Sequence, residues 1–133
     1  MDTTGTFEMA TELKKNKMLT ILHKFYNIEE LKNFLPKFNN PDFIGITTGI
    51  RDEDFLSLQL ILKEGLGNFF NFICFEVPNA YLEIVVRKLK ELRNLCPLHT
   101  IIAGNAVTNE MTEELLLNGA DIINIGLGNG SSC

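Results

Sequence analysis

Cys133 is the residue whose chemistry is easiest to state. A thiolate is a strong nucleophile and a competent leaving group. It closes the stretch A-D-I-I-N-I-G-L-G-N-G-S-S-C at residues 120–133, where Gly126, Gly128 and Gly130 occupy every second position. Such a loop lets backbone N–H and C=O groups approach a ligand or ion, because no Cβ stands in the way. Ile122, Ile123 and Ile125 before it form a β-branched run long enough for one buried strand. A strand ending in a Gly-rich loop with a cysteine resembles the working end of an α/β enzyme; a frayed Gly-Ser tail is the plain alternative. Lys24, Glu76 and Asn105 also follow apolar runs. Their plain readings are a surface lysine, a solvated loop carboxylate and a turn amide that satisfies backbone groups. Cys74 sits inside an apolar run and reads as packing. His23 reads as a strand-end packing residue, His99 as a solvated strand start. Tyr26 and Phe25 read as core or rim.

The elements that must position these residues follow from hydrophobic periodicity. Thr6 to Lys15 reads as a helix with Phe7, Ala10 and Leu13 on one face and Thr3 or Thr6 as its cap. Met18 to His23 is a short apolar run, expected as a strand. Asn27 caps the next helix, with Glu30 completing a capping box; this helix turns Leu31, Phe34 and Leu35 inward and is expected to end before Pro36. Phe43 to Thr48 is the next strand. Asp52 to Lys63 is a helix with three acids in its first turn, where the helix dipole favours them, stopped by Gly65 and Gly67. Phe69 to Val77 contains a strand broken by Pro78. Tyr81 to Leu92 is the best-patterned helix, with Leu82, Val85, Val86, Leu89 and Leu92 as its stripe. His99 to Asn105 is a strand, Thr108 to Leu117 a helix with Gly119 as its C′ glycine, and Ala120 to Gly126 the last strand.

The 133 residues, 45% hydrophobic and 22% charged, indicate one globular domain with a real core. A net charge of −5 with scattered lysines and arginines argues against a nucleic-acid surface. No apolar run is long enough to span a membrane, and the acidic, polar start M-D-T-T-G-T-F-E predicts no signal peptide. The three cysteines show no metal-ligand spacing, and their odd number suggests reduced thiols in the cytosol. The alternation of strands and helices fits two architectures: an open doubly wound sheet, or a (β/α)8 barrel, which needs eight strands. The strand count alone favours the open sheet.

Four motifs reverse that preference. The opening M-D-T-T-G-T-F-E-M-A resembles M-D-T-V-G-T-F-E-M-A of the IMP dehydrogenase/GMP reductase family. L-H-K-F-Y at 22–26 is similar to V-H-K-H-Y. T-I-I-A-G-N-A-V-T-N-E-M at 100–111 is close to T-I-M-A-G-N-V-V-T-G-E-M. G-A-D-I-I-N-I-G-L-G-N-G-S-S-C at 119–133 is similar to G-A-D-I-I-K-V-G-I-G-P-G-S-V-C. They fall in family order along the whole chain, and G-T-F-E-M-A and H-K-x-Y point to the reductase branch. The resemblance implies a partial (β/α)8 TIM barrel of about five parallel strands, with residues 1–133 a single domain that is part of a longer catalytic domain. It implies NADPH-dependent conversion of GMP to IMP and ammonia, with Cys133 as the nucleophile that forms a thioimidate. By position, Lys24, Glu76, Val77, Pro78, Leu127 and Gly128 would contact the dinucleotide. Backbone carbonyls of Gly128, Gly130 and Cys133 would hold a monovalent cation, K+. Asn105 matches an asparagine at the mouth of the site. A cytosolic homotetramer is implied for the complete enzyme.

The chain departs from the family pattern at several of these positions. Glu76 and Pro78 stand where Asp and Ala are usual, Asn129 where Pro, Asn124 where Lys, and Phe25 where His. One extra methylene at position 76 moves a carboxylate by about 1 Å, which matters in a positioned site. The family's first strand, acid/base threonine, phosphate loops, flap and last strands have no counterpart in the sequence. A non-catalytic remnant of the family is therefore the alternative expectation. An arc of five strands is expected to expose strand edges and half of a barrel core, favouring association over autonomous catalysis.

Overall fold

The computed structural model describes residues 5–78 and 81–125. The element order is α1 (Phe7–Lys14), β1 (Thr20–Leu22), α2 (Ile28–Phe38), β2 (Ile44–Thr48), α3 (Asp52–Lys63), β3 (Phe72–Glu76), α4 (Leu82–Leu95), β4 (Thr100–Ala106), α5 (Asn109–Leu117) and β5 (Ile122–Ile125). Short 3-10 turns at Pro41–Phe43 and Leu66–Phe69 lead into β2 and β3. The expected end of the last strand at Gly126, and the Gly-rich loop with Leu127, Gly128, Gly130 and Cys133, lie outside the described residues.

The five strands form one sheet in the order β1-β2-β3-β4-β5, every neighbouring pair parallel. That order separates the two architectures. A doubly wound sheet reverses direction at a switch point, whereas strands added strictly in sequence trace the arc of a β/α barrel. The chain is such an arc, as the resemblance implies.

One face of the sheet carries the core. Leu22, Ile46, Ile73 and Ile101 lie in register across four strands and are buried, as are Phe75 and Ala103 beside them. Leu31, Leu35, Leu58, Val85, Leu89, Leu92 and Leu115 cover them from the helices. Alternate strand residues point the other way. Ile21, Phe72, Cys74 and Ile102 on that second face are half-buried, and Ile122 is 45% exposed.

The caps form as the sequence predicts. The Thr6 and Thr108 hydroxyls accept from Met9 and Met111 N–H, and Asn27 and Glu30 complete a reciprocal capping box. Gly65 and Gly119 occupy positive φ, at 81° and 133°. Four expectations are corrected. First, α2 does not end before Pro36 but runs through it to Phe38. The added turn buries Phe38, Lys14 Nζ donates to the Phe38 carbonyl at 2.6 Å, and Asn39 closes the helix in the left-handed region. These gains offset the amide donor that the proline lacks. Second, β1 and β3 are shorter than their apolar runs. Met18 is exposed, and Phe69 belongs to the 3-10 turn. Third, β5 is not a buried strand: it pairs with β4 alone among the described residues, and Ile125 is 57% exposed. Fourth, His99 is half-buried rather than solvated. Its Nε2–H donates to the Gly67 carbonyl at 2.8 Å and its ring lies 5.0 Å from that of Phe70. The 3-10 turn before β3 brings that carbonyl to it.

Candidate functional site

The C-terminal ends of parallel strands are where α/β folds place their ligands, because the following loops converge there. Lys24 follows β1, Asp54 lies in the first turn of α3 after β2, Glu76 ends β3 and Asn105 lies near the end of β4. The structure brings three of these together. Lys24 Nζ stands 3.8 Å from Asp54 Oδ1 and 3.6 Å from Glu76 Oε1. Both distances are ion pairs too long for hydrogen bonds. Asp54 is buried, while Glu76 is exposed.

The L-H-K-F-Y segment owes its shape to stacking. His23 and Tyr26 rings stack at 4.2 Å, Tyr26 and Phe7 at 3.8 Å, and Phe7 and Phe34 at 4.0 Å. Tyr26 Oη accepts from Phe7 N–H at 3.0 Å, and His23 Nδ1 accepts from Phe25 N–H at 3.1 Å. His23 is thus the strand-end packing residue expected. The ladder fixes the residues on both sides of Lys24 and turns Phe25 outward, so Phe25 is rim.

Asn105 stands at a break in the β4–β5 ladder, where Gly104 pairs with Asn124 and Ala106 with Ile125. A Cβ on Gly104 would lie 2.5 Å from the Asn124 carbonyl oxygen, so the close approach requires glycine. Asn124 Nδ2 donates to Asn105 Oδ1 at 2.9 Å. Asn124, where the resemblance leads one to expect Lys, thus holds the Asn105 side-chain amide in place. Val77 N–H donates to the Gly104 carbonyl at 2.6 Å, tying the end of β3 to this break. Pro78 is exposed.

A cavity of about 50 Å³ lies under Lys24, lined by Thr47, Thr48, Asp54 and Ser57 on its polar side and by Leu31, Ile46, Leu58 and Ile61 on its apolar side. The Thr48 hydroxyl in it is buried without a hydrogen-bond partner among the described residues. Sequence reasoning missed Asp54, which looked like one more acid favoured by the helix dipole. The signal that separates it is its spacing from Arg51: its Oδ2 accepts from Arg51 N–H at 3.2 Å, the reach of an N3 carboxylate.

Cys74 and Cys96 have the character of packing thiols. Burial, then the charge of Glu76, pushes the Cys74 thiol up to about 11, and burial pushes Cys96 up to about 11. No group of three or more His, Cys, Asp or Glu suited to a metal ion occurs among the described residues. None of their helices is long and apolar enough to cross a membrane.

Residues 1–133 match the model of the IMP dehydrogenase / GMP reductase domain. The chain is 44% identical to GMP reductase of Onchocerca volvulus and 44% to that of Caenorhabditis elegans, in each case over its whole length and 37% of the relative. It is 43% identical to GMP reductase 1 of Rattus norvegicus, covering 38% of that protein. Inosine 5' monophosphate dehydrogenase from Legionella pneumophila superposes with a TM-score of 0.78 at 33% identity, covering all of this chain and 39% of that one. The chain therefore spans little more than a third of the length of the curated relatives it matches.

Proposed function

We propose, for a chain that belongs to the IMP dehydrogenase/GMP reductase family, that its strand ends form part of a site for NADPH-dependent reductive deamination of GMP to IMP and ammonia. The observation that carries this reading is the convergence of Lys24 and Glu76 at one rim. The two residues come from separate β/α units, and both fall at positions where the reductase branch contacts its dinucleotide. An ammonium suits a phosphate oxygen, and a carboxylate suits ribose hydroxyls. The half-exposed Glu76 side chain is free to turn toward a ligand. Val77 and Pro78 follow it on the same loop, and Leu127 and Gly128 complete the proposed contacts from the β5 side.

Cys133 is the proposed nucleophile. Its thiolate adds to purine C2, the C2 amino group takes up one proton from solvent and leaves as ammonia, and the C–S bond of the resulting thioimidate breaks again as C2 is reduced, returning the thiolate and IMP. NADPH supplies the hydride, two electrons with one proton, for that reduction. Cys74 and Cys96, with thiols near 11, are poorly suited to nucleophilic work at neutral pH. K+ on the carbonyls of Gly128, Gly130 and Cys133, a cytosolic location and a homotetrameric complete enzyme belong to the same proposal.

The test places residues 1–133 in the Caenorhabditis elegans relative in exchange for the matching segment, and follows GMP-dependent loss of NADPH absorbance in K+ buffer. Turnover that Cys133→Ala abolishes and Na+ in place of K+ lowers is the expected result. A folded hybrid that consumes no NADPH overturns the reading.

A further inference from the structure

Asp54 is an unusual acid for a helix start. Asp52 and Glu53 precede it in the same turn, with side chains 88% and 69% exposed, and already satisfy the helix dipole. The Asp54 side chain is only 8% exposed. Burying a carboxylate is costly unless it is paired and hydrogen-bonded. Asp54 meets both conditions. Oδ2 accepts from Arg51 N–H at 3.2 Å and Arg51 Nε at 3.4 Å, which fixes the carboxylate to the start of α3. Oδ1 is left facing Lys24 Nζ.

The surroundings are shaped around that carboxylate. A Cβ on Gly49 would lie 2.5 Å from Asp54 Oδ2 and 3.4 Å from Lys24 Nζ, so a side chain there would displace the pair. The cavity beneath holds the buried Thr48 hydroxyl, which has no hydrogen-bond partner among the described residues, beside Asp54 and Lys24. Its volume of about 50 Å³ is room for ordered water linking these polar groups. Lys24 thus stands between two unlike carboxylates, one clamped and buried, the other at a solvent-facing strand end.

We infer that Asp54 is a positioning residue that sets the place of the Lys24 ammonium, with the Thr48 hydroxyl and cavity water completing the support, and that Glu76 is left to answer the ligand. The inference rests on the reading of Lys24 as a dinucleotide contact and deepens it. Lys24 reaches the ligand already oriented, so less side-chain freedom is lost on binding.

The experiment uses the full chain and two readouts. In a proton–carbon correlation spectrum, the Lys24 signal is assigned by its loss in Lys24→Arg. Its two ε-methylene protons are expected to be inequivalent in the wild type and in Asp52→Asn, and to collapse toward one averaged shift in Asp54→Asn. An averaged pair in the wild type, or an unchanged pair in Asp54→Asn, overturns the inference. If Asp54→Asn does not fold, Asp54→Glu keeps the charge but shifts the carboxylate by one methylene and puts no new group against Lys24 Nζ. A displaced Lys24 signal then supports the inference, and an unmoved one overturns it. The second readout is NADPH affinity in a double-mutant cycle. Asp54→Asn is expected to weaken binding about 5- to 10-fold, and the Asp54→Asn/Lys24→Met pair to bind no worse than Lys24→Met alone. Asp54→Glu, which keeps the charge, is expected to restore part of the affinity. Additive losses overturn the inference. If the wild type binds no NADPH, the methylene signal still decides the positioning claim, and only the reading of Lys24 as a cofactor contact fails.

Discussion

Two cations stand at opposite ends of one sheet, and they are treated differently. Arg93, on α4, serves the N-terminal ends of β4 and β5. It donates to the carbonyls of Gly119, Cys96, Pro97 and His99 at 2.7–3.3 Å and pairs with Asp121 at 2.6 Å. Asp121 in turn accepts from Ile101 N–H at 2.9 Å. Lys24, at the C-terminal ends, has two carboxylates near it, both beyond hydrogen-bond length. The base of the sheet uses a planar fork to saturate loop carbonyls, which holds strands in place. The rim uses a point charge set in place by the buried Asp54 carboxylate, with neither neighbouring carboxylate at hydrogen-bond distance. With the proposed dinucleotide contact at Lys24, stability and ligand binding would fall to different ends of the same strands, as barrel enzymes generally divide them.

The largest effect is expected at the base. Arg93→Met removes the guanidinium from several carbonyls and leaves the Asp121 carboxylate with only the Ile101 N–H, and stability should fall by about 2–4 kcal/mol in urea denaturation. A loss below about 0.5 kcal/mol, the size of an ordinary surface change, would break the comparison.

Thiol chemistry sharpens it next. With thiols raised to about 11 by burial, Cys74 and Cys96 should react with iodoacetamide at neutral pH about 100-fold more slowly in the folded than in the unfolded chain. Peptide mass spectrometry after timed quenching reads this, and equal rates would mean that neither thiol is packed. The sign for stability follows. A raised folded value gives a contribution fully present below the ordinary thiol range. That contribution is lost as pH climbs through about 11, where only the unfolded chain has ionised readily.

The smallest effect belongs to the Asp52–Lys88 pair at 2.7 Å. The hydrogen bond and charge of Lys88 hold Asp52 below the ordinary carboxylate range, and the hydrogen bond to Asp52 raises Lys88. Its stabilisation is present above the ordinary carboxylate range and fades as pH falls through the depressed value. It fades again as pH rises through the raised lysine value. Because the Asp52 side chain is 88% exposed, salt should erase it. Melting curves of Asp52→Asn and wild type should differ slightly at low salt and coincide at about 1 M.

Much of the fold was legible because local chemistry and tertiary packing agree. Thr6, Asn27 with Glu30, and Thr108 cap helices where their sequences place them, and Gly65 and Gly119 take positive φ. Periodicity failed where long-range contacts decide. Pro36 stays inside α2 because Phe38 and Lys14 reward the extra turn, and His99 is drawn in by the distant Gly67 carbonyl. Strand count could not choose the barrel, because order within the sheet is not a local property. At the site, Lys24 and Glu76 were marked by resemblance, and the structure adds that they meet. Asp54 was invisible because its burial depends on Lys24 and Gly49, residues on other segments.

The most direct test crosses the two ends. Thermal melting and NADPH binding are measured on wild type, Lys24→Met and Arg93→Met, with binding read well below each melting point. The division of labour predicts that Lys24→Met melts within a few degrees of wild type but binds NADPH about tenfold more weakly. It predicts that Arg93→Met melts far earlier and binds as the wild type does. A Lys24→Met chain with wild-type affinity, or an Arg93→Met chain that keeps its melting point and loses the dinucleotide, would contradict it.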